Sequence, residues 1–153
     1  MLFSLIRCHL ENGNRVWHPV NKTDSDHLEK AQRRATKIVP EIKDLPYQER
    51  LRKLKLPSLA FRRKRGDMIQ VYKIMHNLED IPEGAFFTRS EGTTRGNSLK
   101  LFKTRCRTKL RQNSFTVRVI NDWNGLPESI VTAPTLNSFK SRIDRHWKDI
   151  QYD

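Results

Sequence analysis

Between Gly92 and Asn121 the chain carries eight basic residues and no acidic one: Arg95, Lys100, Lys103, Arg105, Arg107, Lys109, Arg111 and Arg118. The chemistry open to such a run is electrostatic capture of a polyanion. Leu99 and Leu101 alternate with Lys100 and Lys103. After a turn near Thr104, Cys106, Thr108 and Leu110 alternate with Arg105, Arg107, Lys109 and Arg111. That period of two predicts a small β-hairpin. On a strand, Arg105, Arg107, Lys109 and Arg111 share one face and repeat every ~6.5–7 Å, near the phosphate spacing of a nucleic-acid strand. A charge-protected edge strand would use the same residues. A merely solvated surface mixes signs, however, and the missing acids favour nucleic-acid contact.

Two further basic sets lie on predicted helices. Lys30, Arg33, Arg34 and Lys37 recur at i, i+3, i+4 and i+7. Arg62, Arg63, Lys64 and Arg65 are consecutive and spread around their helix, so at most two can face one strand of phosphates; Arg62 and Arg63 are the candidates taken from that run. Either set also fits a solvated helix face.

Residues suited to catalysis or metal binding do not assemble into a pattern. His9, His18, His27, His76 and His146 show no ligand spacing with Cys8 or Cys106, and CxxC is absent. Asp122, Asp144 and Asp149 read as surface ion-pair partners on helices. No glycine-rich phosphate loop or nucleophile motif is present. The expectation is no catalytic residue, no metal site, no cofactor and no small-molecule substrate.

The elements that must carry the basic residues are mainly helical, so the predicted fold is a mainly α helical bundle with a small β-hairpin in its second half. The expected organisation is a helical segment over 1–78, a loop over 79–97, and a hairpin with a two-helix lobe over 98–153. Leu2 to Glu11 reads as an apolar helix without leader or cap, which places the expected domain boundary upstream of Met1. Thr23 or Ser25 is the predicted cap of a helix to about Val39, with Leu28, Ala31, Ala35, Ile38 and Val39 as its buried stripe. A short helix follows Pro46. Ser58 opens the longest helix, to about Leu78, in which Gly66 suggests close approach by another backbone. The closing helices carry Phe115, Val119, Ile120 and Trp123 on one stripe and Leu136, Phe139, Ile143 and Trp147 on the next. Both tryptophans read as core anchors.

The bulk properties agree with an anionic partner. The formal net charge is +13 over 153 residues, and mean hydropathy is −0.75. No long apolar run or lipid-anchor motif accompanies the charge, so a membrane is not the expected partner. Two cysteines and no disulfide framework indicate a reducing, intracellular location, cytoplasmic or nuclear.

In order along the chain, HLEKAQRRATKIVP (27–40), LPYQERLRKLKLPSLAFRRKRGDMIQVYKIMH (45–76) and NSFTVRVINDWNGLPESIVTAPTLNSFKSRIDRHW (113–147) resemble the region after the catalytic palm in reverse transcriptases of non-LTR retrotransposons, of the jockey and chicken-repeat type. RCHLENGNRVWHP (7–19) resembles the end of the polymerase region in the same family. The resemblance spans nearly the whole chain and implies the thumb and the segment after it. It departs at Asn12 and Arg15, where the family usually has an aromatic and an aliphatic residue, and at Cys8, where proline is common. The family's paired metal-binding aspartates, in a Tyr-Ala-Asp-Asp type motif, have no counterpart here, so Mg2+ is implied only for a palm this sequence lacks. What the resemblance implies is a fragment of an RNA-directed DNA polymerase that binds template RNA or an RNA–DNA duplex through its backbone, with the palm as a second potential partner. The competing expectations are a non-catalytic helical protein-interaction module and a decayed element product without a selected role.

Overall fold

The computed structural model describes residue 13 and residues 18–82, 84–90 and 96–152. The helix expected over Leu2–Glu11, the departures at Cys8, Asn12 and Arg15, and the basic residue Arg95 lie outside the described residues.

Within them the chain forms seven α-helices: α1 (Lys22–Lys37), α2 (Tyr47–Leu54), α3 (Leu59–Met75), α4 (Lys109–Gln112), α5 (Phe115–Asn124), α6 (Glu128–Val131) and α7 (Leu136–His146). Short 3-10 turns span Pro40–Ile42 and Lys148–Ile150. The mainly α class is the one the periodicities predicted. Two compact units result: Met1–Lys64 together with Trp147–Asp153, and Arg65–His146. The sequence-based divisions at 78 and 98 both fall inside the second of these.

In the first unit, the predicted stripe of α1 is covered in part: Ala35 is buried, Leu28, Ala31 and Val39 are half-buried, and polar residues share the buried side. The buried residues of the helix are Glu29, Gln32, Ala35 and Thr36, while Ile38 is 67% exposed. The reason is polar. The connection into α3 brings unsatisfied backbone groups, and these need partners more than Ile38 needs cover. Glu29 accepts from the Leu59 N–H through both carboxylate oxygens, at 3.2 and 3.1 Å, and from the Tyr47 hydroxyl at 2.5 Å. Gln32 Nε2 donates to Tyr47 Oη at 3.1 Å and to the Pro57 carbonyl at 3.2 Å. A helix N-terminus favours negative charge, so the Glu29 carboxylate caps α3 from another helix. Asn21, rather than Thr23 or Ser25, occupies the cap position of α1.

The end of α2 also follows from its backbone. Lys55 adopts φ 52°, the Leu56 N–H reaches the Leu51 carbonyl at 2.9 Å, and the Lys55 N–H reaches Arg52 at 3.1 Å. That pair is a Schellman motif, and Pro57 prevents continuation. Trp147 belongs to this unit and is half-buried, edge-on to Phe61 at 6.3 Å with Lys64 Nζ 4.9 Å from its ring.

In the second unit, α3 contributes Met68, Val71, Tyr72 and Met75 to the core. It stops three residues earlier than predicted because Asn77 takes φ 52° and the Leu78 N–H bonds back to Lys73 at 2.8 Å. Tyr72 stacks on Phe139 at 4.4 Å, Phe139 meets Trp123 at 6.1 Å, and the His76 ring covers Tyr72 at 4.1 Å. The column is pinned where Tyr72 Oη donates to the Ala133 carbonyl at 2.7 Å. Trp123 is fully buried. The two tryptophans therefore serve separate units rather than one two-helix lobe. A Cβ added at Gly66 would meet nothing within 4 Å among the described residues, so no neighbouring backbone there explains the glycine.

The predicted hairpin does not form. Leu101 makes one isolated antiparallel bridge, and its partner is Arg89, upstream rather than downstream. The Ser90 N–H donates to Lys100 at 2.9 Å and the Phe102 N–H to Thr88 at 2.8 Å. Beyond Phe102 the chain is irregular. Thr108 then accepts from the Arg111 N–H at 3.3 Å and caps the single turn α4. The apolar half of the alternation was too weak to build a sheet face. Leu110 is 76% exposed, Cys106 and Thr108 are small, and a lone pair of strands without a buried face is marginal in water.

Candidate nucleic-acid interface

The basic segment is positioned by the C-terminal end of α5. Asn97, 4% exposed, donates through Nδ2 to the Trp123 and Leu126 carbonyls at 3.1 and 3.0 Å. Trp123 Nε1 donates to the Leu99 carbonyl at 2.8 Å. The Asn124 amide pairs with the Leu101 backbone in both directions, at 2.8 and 2.9 Å. Three side chains thus stand in for a neighbouring strand and fix residues 97–101. Glu128 adds a clamp: it accepts from the Ser98 N–H and hydroxyl, both at 2.6 Å, and these bonds hold its carboxyl below the usual carboxylate range.

From that anchor the basic residues run outward. Lys103, Arg105, Arg107, Lys109 and Arg111 are exposed, and Lys100 is half-buried. A Cβ on Gly96, at φ +131°, would lie 2.4 Å from Lys100 Cε, so the lysine stem packs on the glycine backbone. The shared strand face expected for Arg105, Arg107, Lys109 and Arg111 is absent. Arg105 and Arg107 lie on irregular chain, whereas Lys109 and Arg111 lie on one helical turn and point about 160° apart.

Lys103 and Arg105 instead line a cleft of ≈ 530 Å³ with Thr104, Cys106, Gln112, Val117, Arg118 and Asn121. Lys103 Nζ donates to Asn121 Oδ1 at 3.0 Å, and Gln112 Nε2 donates to the Cys106 carbonyl at 3.2 Å.

Arg118 is tied to the fold. Its Nε and Nη2 donate to Asp67 at 3.1 and 3.0 Å, and Nη1 donates to the Asn113 carbonyl at 3.1 Å. The side chains of Arg118 and Asp67 retain 11% and 6% exposure, so this is a buried pair joining α5 to α3.

In the first unit, Lys30, Arg33, Arg34 and Lys37 are all exposed along α1. Arg33 also covers the Tyr47 ring at 4.9 Å. Arg62 is half-buried. Arg63 is only 3% exposed and donates to Ser25 Oγ at 2.7 Å, which makes it a packing residue.

Sequence reasoning missed Asn97, Asn121, Asn124 and Gln112. An asparagine at a helix end is a weak signal, and nothing local announces which carbonyls it will meet. The Arg118–Asp67 pair spans 51 residues and has no sequence signature. Among the described residues no group of three or more His, Cys, Asp or Glu is placed to hold a metal ion, and no helix is long and apolar enough to cross a membrane. No protein-family model, curated protein or solved structure matches the chain.

Proposed function

We propose that this chain binds RNA or an RNA–DNA duplex by its phosphate backbone, in the role that its resemblance to the thumb and post-thumb region of non-LTR retrotransposon reverse transcriptases implies. One observation supports this reading above the others. Arg105, Arg107, Lys109 and Arg111 are exposed, and among the described residues no carboxylate pairs with them. Backbone contacts of this kind position a nucleic acid without reading its sequence.

The test is salt-dependent binding of the full chain to RNA. Engagement of about six phosphates lowers affinity roughly 10³-fold between 50 and 200 mM salt. Reversing charge at Arg105, Arg107, Lys109 and Arg111 collapses binding and flattens the slope. A salt-independent affinity, or full binding by the reversed variant, overturns the proposal.

The interaction-module reading has one observation in its favour. A groove of ≈ 290 Å³ is lined by Ile74, Met75, Ile81, Phe86 and Phe87, among others, with Phe86 45% exposed. Partner binding through that groove survives the charge reversal, which separates the two readings.

A further inference from the structure

A surface that only tracks phosphates needs no concavity, yet the basic segment borders one. We infer that the cleft formed by residues 103–106, Gln112 and α5 takes one unpaired nucleotide of the bound strand, with its base inward and its phosphate at Lys103 and Arg105. The inference rests on the nucleic-acid reading above and deepens it.

Size is the first argument. The cleft, at ≈ 530 Å³, falls within the ~300–1,000 Å³ range of small-molecule sites. A phosphate group alone leaves most of it unfilled. A nucleotide is closer to it in size, with the base lying between the side chains of Gln112 and Asn121 that line the cleft.

The polar groups carry the second argument. The two amides in the lining are each half used. Gln112 spends Nε2 on the Cys106 carbonyl, and Asn121 spends Oδ1 on Lys103. Gln112 Oε1 and Asn121 Nδ2 have no partner among the described residues. They supply one acceptor and one donor, the combination that the edge of a base requires and that a phosphate does not.

Charge gives the third. Lys103 and Arg105 line the cleft, no carboxylate does, and the charge of Arg118 is balanced by Asp67. The anion therefore belongs at Lys103 and Arg105. A base within a duplex has its pairing edge occupied, so the site selects an unstacked, single-stranded residue.

The experiment compares three probes on the full chain: a short single-stranded RNA, the same strand with abasic riboses at every position, and the matching duplex. The base-bearing strand is expected to bind about tenfold more tightly than the abasic strand, the scale of two modest hydrogen bonds. The double variant Gln112→Ala/Asn121→Ala keeps every charge. Both residues are exposed, and unfolding curves check that its stability is retained. This variant is expected to bind base-bearing and abasic strands alike while keeping the salt slope. Equal binding of the two strands by the unmodified chain overturns the nucleotide site and leaves backbone binding standing, provided the slope remains steep. Absence of salt-dependent binding to all three probes overturns both. Retention of the tenfold preference by the double variant overturns the assignment of the base to this cleft.

Discussion

The two carboxylate oxygens of Glu29 face the backbone N–H of Leu59 at 3.2 and 3.1 Å, across 30 residues of sequence. A helix usually takes its cap from its own flanking residues. Here a buried side chain of α1 caps the first N–H of α3, while Ser58 Oγ accepts from the Phe61 N–H at 3.2 Å. The start of the longest helix therefore combines a local cap, Ser58, with a tertiary one, Glu29.

Glu29→Ala leaves the Leu59 N–H and the Tyr47 hydroxyl without their acceptor and is expected to cost about 1–3 kcal/mol. A double-mutant cycle with Tyr47→Phe should show a coupling of ~0.5–3 kcal/mol, because both variants remove the same contact. Urea unfolding measures each corner; strict additivity would show that Tyr47 and Glu29 act independently.

Tyr47 makes stability depend on alkaline pH. Burial, with the adjacent Glu29 carboxylate accepting its proton, pushes the phenol well above its ordinary value. A group raised in the folded state contributes stability that is present below its unfolded value, ~10 for tyrosine, and is lost as pH rises beyond it. Stability of the unmodified chain should fall more steeply above pH ~10 than that of Tyr47→Phe. Parallel profiles from thermal melts across that window would remove the linkage.

The Asp67–Arg118 pair separates folding from binding. Arg118→Met leaves Asp67 buried without its guanidinium and is expected to cost about 3–5 kcal/mol, whereas Asp67→Leu/Arg118→Met together should recover most of the loss. Affinity of the folded double variant for an abasic strand, which leaves the cleft's base site unused, should stay within about twofold of the original, since the Arg118 charge is balanced by Asp67. A large drop in affinity at restored stability would return Arg118 to the nucleic-acid interface.

Gly66 is exposed within α3 and its missing Cβ meets nothing within 4 Å among the described residues. Gly66→Ala should raise stability by about 0.5–1 kcal/mol through helix propensity alone. A fall in melting temperature would show that the glycine serves something other than the helix.

Much of this protein is legible without a fold. The helical periods of 115–123 and 136–143, the stops at Pro40, Pro57 and Gly125, and the excess of positive charge are local or bulk properties. They determined the mainly α class, and the charge favours an anionic partner. The period of two over 99–111 misled, because alternation identifies a strand only when one face is buried. Leu110 has no cover, and Thr108 serves better as a cap. Tertiary structure alone decided that Arg118 meets Asp67, that Arg63 packs inward, that Glu29, Gln32 and Thr36 are buried beside Ala35 on α1, and that Lys103 and Arg105 border a cleft with Gln112 and Asn121. The first three share one physical reason. A charged or amide side chain carries no mark of its partner in its own neighbourhood, and it is the demand of buried backbone and charged groups for hydrogen bonds that selects which distant residue answers.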